Sequence, residues 1–123
     1  MSYKNKILYK HLISAIKEMI NAPNLQREVW DIIFNINNKN LIFPSKYASS
    51  PITRIYLKEN FNSLYTDEKG IYAHLFFEES EEHSVFIPFN SLVAFAVGKD
   101  FVIHFKNLEE DDLLSDNIVP IDL

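Results

Sequence analysis

The side chains best suited to binding chemistry fall on two alternating runs. In residues 52–58, Arg54, Tyr56 and Lys58 share one face, with Ile55 and Leu57 on the other. In residues 71–77, Tyr72, His74 and Phe76 lie opposite Ile71, Ala73, Leu75 and Phe77. A period of two is that of a half-buried strand. If the aliphatic positions face a core and the two strands are neighbours, six side chains line one patch with aromatic walls and cationic ends. Such a patch suits an extended peptide that carries carboxylates and an aromatic residue. The same pattern also describes the second buried face of a barrel, or a contact between copies of the chain.

Other chemistries find less support. His11, His74, His83 and His104 are spread over separate segments without metal-ligand spacing, so no metal is expected. No Ser or Thr sits in a nucleophile-elbow frame. The two glycines, Gly70 and Gly98, do not make a Gly-rich phosphate loop. The acidic run Glu78-Glu79-Ser80-Glu81-Glu82 reads as a solvated turn rather than a pair of acids lining a cleft. An enzyme is the least supported class, and no cofactor is expected.

The 123 residues are enough for one domain with one core, and 47% of them are hydrophobic. Ten Phe and six Tyr favour strands. The absence of Cys excludes disulfides and thiolate sites and fits a reducing cytoplasm. No apolar run is long enough to span a membrane, and the first segment, with Lys10, His11, Lys17 and Glu18, is too polar for a signal peptide. The net charge of −5 divides into +6 over residues 1–58 and −11 over residues 59–123. Overall acidity disfavours nucleic acid, because phosphate binding is cationic neutralisation. The basic half is suited to an acidic peptide.

The elements that position these residues are legible as patterns. Residues 3–20 read as an amphipathic helix, with Leu8, Leu12, Ile16 and Met19 at helical spacing and Ser2 as N-cap. This stripe is either core or part of a dimer interface. Residues 29–36 alternate as a strand that turns one way Trp30, Ile32, Phe34 and Ile36. Leu41-Ile42-Phe43 before Pro44 is a short edge strand. Strands follow at 52–58, 61–65, 71–77, 83–87 and 101–105, with a hairpin-type turn at Thr66–Gly70. Pro88 is expected to start a short helix through Ala94, followed by a further strand before the turn at Gly98. From Lys106 periodicity fades and acids accumulate. The domain is therefore placed at residues 1–106, with a β-rich part at 29–105, and 107–123 as a flexible acidic tail.

Three segments carry a resemblance. Ile87-Pro88-Phe89-Asn90-Ser91-Leu92, Ile52-Thr53-Arg54-Ile55-Tyr56-Leu57 and Phe43-Pro44-Ser45-Lys46-Tyr47-Ala48, together with one helix followed by several short strands, are similar to the SspB family. The match covers roughly residues 5–105. SspB proteins are adaptors that bring tagged substrates to the ClpXP protease. The resemblance implies a mainly β fold: an N-terminal helix followed by a strongly bent antiparallel sheet or open, Sm-like barrel. It implies a non-enzymatic cytoplasmic homodimer, with Leu8, Leu12, Ile16 and Met19 contributing to the twofold interface. The implied ligand is the ssrA tag, an acidic, Asn-rich, Tyr-containing peptide. Arg54 and Lys58 would meet its carboxylates, Tyr56, Tyr72 and Phe76 would hold its apolar positions, and His74 would add a pH-dependent hydrogen bond. The tail would dock on the ClpX unfoldase. The rival reading is an Sm-like RNA-binding small β-barrel, whose aromatic strands would stack bases.

Overall fold

The structure, a computed structural model, describes residues 2–48, 51–78 and 81–105. The expected tail, 107–123, and the tip of the acidic run, 79–80, lie outside the described residues. The chain is mainly β, with one N-terminal helix followed by two antiparallel sheets that do not close into a barrel.

Helix α1 spans Tyr3–Asn21. Ser2 caps it: its Oγ accepts the Asn5 backbone N–H at 3.2 Å. Leu12, Ile16 and Ile20 recur at four-residue spacing and are buried. Burial of each contributes about 1.5–3 kcal/mol. Leu8 and Met19 are half-buried and pack against the same core. Leu12 and Ile16 of the stripe thus belong to the core of one chain, while Tyr3 and Ile7 are the exposed large apolar residues of the helix.

The four-stranded sheet has the order β2-β1-β6-β7: β1 is Trp30–Asn35, β2 Ile52–Leu57, β6 Leu92–Val97 and β7 Phe101–His104. The three-stranded sheet has the order β3-β4-β5: β3 is Phe61–Thr66, β4 Gly70–Glu78 and β5 Glu81–Pro88. α1 packs chiefly on β3. Trp30, Ile32 and Phe34 of β1, Ile71 and Ala73 of β4, and Phe95 and Ile103 of the first sheet fill one core. Trp30 and Phe95 meet there with ring centroids 6.0 Å apart.

Three expectations are corrected. The Pro88 segment is not a helix through Ala94. Pro88 closes the β4–β5 ladder opposite Gly70, where its missing donor costs nothing, and one 3-10 turn, Phe89–Ser91, leads straight into β6. Leu92 is already extended, with ψ 133°. β6 is central in its sheet and apolar on both faces, so its sequence lacks the alternation that marks a half-buried strand. Leu41–Phe43 is not an edge strand but a single bridge, Ile42 to Phe86. The acidic run is not all turn: Glu78 ends β4, and Glu81 and Glu82 begin β5.

Candidate functional site: an edge groove and an aromatic face

The alternation of the two runs is as expected. Arg54 and Tyr56 point away from the core while Thr53, Ile55 and Leu57 are buried, and Tyr72, His74 and Phe76 are half-buried opposite Ile71, Ala73 and Leu75. The premise that joined the runs is corrected, because β2 and β4 belong to different sheets and do not pair. The six side chains therefore do not form one patch. Arg54, Tyr56 and Phe76 meet in a groove, Tyr72 and His74 lie on the outer face of the three-stranded sheet, and Lys58 is exposed just past the end of β2.

The groove has a volume of about 230 Å³ and runs between β2 and the distal end of β4. Arg54, Ile55, Tyr56 and Leu57 all line it. Successive residues of a strand point to opposite faces, so four in a row can line one groove only along the strand's edge. β2 is an outer strand of its sheet, and this is its open edge. The facing wall is Leu75, Phe76 and Phe77 of β4, with Phe43, Tyr47 and Asn60 completing it.

The aromatic wall is continuous. Phe43 meets Phe34 edge-on at 5.2 Å and Phe77 at 5.6 Å, and Tyr47 stacks on Phe77 at 4.3 Å with an interplanar angle of 9°. Tyr47 also donates its hydroxyl hydrogen to Glu81, and Lys46 pairs with the same carboxylate at 2.9 Å. These donors hold Glu81 down at about 2, against an ordinary 4.5, the Tyr47 hydroxyl contributing most. They tie the loop before β2 to the start of β5 and fix the rim of the groove.

At the other wall Arg54 forks onto Asp31 of β1, Nε to Oδ1 at 2.7 Å and Nη2 to Oδ2 at 2.6 Å. The hydrogen bonds to Asp31 raise its already high pKa, so Arg54 is charged throughout the accessible range. Its guanidinium lies 5.7 Å from the ring of Tyr56, which is 52% exposed. Asn60 closes the following turn: its Oδ1 accepts the Lys58 N–H at 2.9 Å and its Nδ2 donates to the Tyr56 carbonyl at 3.2 Å. Glu59 within that turn has φ 67°.

The outer face of the three-stranded sheet is a second surface. Tyr65, Tyr72 and Phe86 occupy matched positions on three neighbouring strands. Tyr65 and Tyr72 stack at 5.0 Å, Tyr72 and Phe86 lie 4.7 Å apart, and Ile42, 60% exposed, bridges to Phe86. Sequence reasoning placed Tyr72 outward but missed Tyr65 and Phe86 beside it, since cross-strand register is not written in any one segment. The Tyr72 hydroxyl donates to Asp67 at 2.7 Å, which raises the pKa of the phenol and lowers that of Asp67. His74 is held on both sides, Nδ1 3.1 Å from Ser84 Oγ and Nε2 3.0 Å from Glu82.

Among the described residues, no group of three or more His, Asp or Glu side chains is placed to hold a metal ion. Among the same residues, no helix is long and apolar enough to cross a membrane. No protein-family model matches the chain, and no curated protein matches it.

Proposed function

We propose that this protein is a non-enzymatic adaptor of the SspB type that binds ssrA-type degradation-tagged polypeptides and delivers them to the ClpXP protease in the cytoplasm. The observation that carries the reading is the groove along the open edge of β2. An extended peptide laid there adds a strand: main-chain hydrogen bonds supply affinity, and pockets for alternate side chains supply selectivity. Tyr56 and Phe76, with Tyr47 behind them, take the tag's apolar or aromatic positions. Arg54, and Lys58 beyond the strand end, attract its carboxylates. Arg54 is engaged by Asp31 on one side of its fork, so a tag carboxylate meets the Nη1 side or displaces Asp31. His74 and Tyr72 belong to the other surface and are not part of the groove in this reading. The residues after 106 would tether ClpX, and a second copy of the chain would double the tag sites and tethers.

The second reading, RNA binding, is favoured by the Tyr65–Tyr72–Phe86 row, since bases stack on aromatic faces. The acids beside that row, Asp67 and Glu82, weigh against it.

Amide hydrogen exchange with and without an ssrA-type peptide tests the groove. Peptide binding slows exchange in residues 54–57 and leaves the opposite edge strand, β7, unchanged. Protection confined to β3–β5 would move the ligand to the aromatic face and end the edge-groove reading.

A further inference from the structure

A second cavity, of about 470 Å³, opens where β1 ends and β2 and β6 begin. It shares no lining residue with the β2-edge groove, and the inference drawn from it does not rest on the adaptor reading. Asn35, Asn37, Asn38, Asn90 and Ser91 give it polar walls, and Ile52, Leu92 and Val93 give it an aliphatic one. No charged side chain is among the described residues that line it.

The orientation of three of the four carboxamides, those of Asn35, Asn38 and Asn90, is fixed by chemistry. The backbone N–H of Asn37 reaches one side-chain atom of Asn35 at 2.8 Å, and that of Asn40 reaches one of Asn38 at 2.9 Å. A backbone N–H only donates, so both acceptor atoms are oxygens. The amide nitrogen of Asn38 then points at Asn90 with a separation of 2.7 Å, and the Asn90 atom it meets is also an oxygen. Each of these three carboxamide oxygens thus already receives an N–H. The amide groups of Asn35 and Asn90 donate to no protein atom among the described residues. The cavity therefore offers donors, without a charge of its own, beside an aliphatic wall that includes Ile52, 39% exposed.

An ionised carboxylate is acceptor-only and takes several N–H donors at once, with bonds strengthened by its charge. We propose that this cavity binds a carboxylate carried on an aliphatic stem. The stem lies on Ile52, Leu92 and Val93, and the carboxylate receives the amide hydrogens of Asn35 and Asn90. Such a group comes from a small branched carboxylic acid or from the C-terminal residue of a polypeptide.

The test is a titration followed by backbone amide shifts in NMR spectra of the full chain, with isovalerate, N-acetyl-leucyl-leucine and the C-terminal amide of that dipeptide as probes. Saturable shifts of residues 35–38 and 90–93 with at least one acid, and not with the amide, support the site. Binding of isovalerate identifies a small acid as sufficient, and binding of the dipeptide acid alone identifies a polypeptide C-terminus. Asn35→Asp and Asn90→Asp keep the oxygens that the backbone and Asn38 need but replace the donors with acceptors. Each weakens binding about tenfold or more. Ile52→Glu, at an exposed position, removes the exposed part of the aliphatic wall, sets a like charge beside the carboxylate and does the same. Equal binding of acid and amide, undiminished binding by all three variants, or no saturable shift with either acid would overturn the proposal.

Discussion

Arg54 and Asp31 are diagonal neighbours on the outer face of the β1–β2 pair, joined by two parallel hydrogen bonds of 2.7 and 2.6 Å. Asp31 stands directly opposite Tyr56 on the paired side of β2, outside the groove, and occupies the cation that a tag acid would seek. Asp31→Asn releases that cation. The expected outcome is tag affinity raised about three- to tenfold. Peptide titrations of the two proteins at matched salt check it. Unchanged affinity would place the tag's acids away from Arg54.

The loop-to-strand tie at Glu81 makes a pH prediction. The folded state holds this carboxyl at about 2, below its ordinary 4.5. A lowered folded pKa stabilises the fold above the unfolded value, and that contribution is lost as pH falls from about 4.5 toward 2. The melting temperature of the native sequence therefore drops across this window. Glu81→Gln, which is never ionised, shows a shallower drop and a lower melting temperature at pH 7.

Gly70 faces a barrier that no neighbour can relieve. A Cβ there would lie 2.3 Å from the Ile87 carbonyl oxygen and 2.8 Å from the Pro88 Cα, both backbone atoms. Gly98, with φ +66°, turns β6 into β7, but its nearest neighbours are side-chain atoms of Glu28 and Asp100 at 3.4 and 3.5 Å. Gly98→Ala is expected to cost about 1–2 kcal/mol for the left-handed backbone alone. Gly70→Ala costs more, because the β4–β5 ladder must separate. Urea denaturation of both variants gives the order.

Phe95 is fully buried against Trp30 on the central strand β6. Phe95→Ala is expected to destabilise the fold by about 3–5 kcal/mol. Tyr65→Ala, which removes a half-exposed ring from the outer face, changes stability far less. Chemical denaturation distinguishes them. A large loss at Tyr65 would make the aromatic face structural rather than available for binding.

Much of the fold is legible because most strands have one dry and one wet face. Trp30, Ile32 and Phe34 alternate with half-buried Asp31, Ile33 and Asn35, and Ile71, Ala73 and Leu75 alternate with Tyr72, His74 and Phe76, so strand and inward face follow from the period alone. The helix declares itself through Leu12 and Ile16 and its Ser2 cap. β6 declares itself only in part: a strand is expected before Gly98, but with Leu92, Ala94 and Phe95 all buried no alternation marks where it starts. The candidate site was legible side chain by side chain and not as a place. Which strands neighbour one another is set by contacts far apart in sequence, and these put β2 beside β1 and β4 between β3 and β5. The asparagine cavity left no sequence signal for the same reason: Asn38 and Asn90 are 52 positions apart and meet only across the fold.

The central claim is that the edge groove of β2 binds the tag. Fluorescence anisotropy of a labelled ssrA-type peptide, titrated with the native protein and with Arg54→Glu/Lys58→Glu, Tyr56→Ala and Tyr72→Ala variants, tests it most directly. The account predicts saturable binding to the native protein, loss of it in the double variant, weakening by Tyr56→Ala, and little change with Tyr72→Ala. No binding by the native protein, or loss with Tyr72→Ala while Tyr56→Ala binds normally, would contradict it.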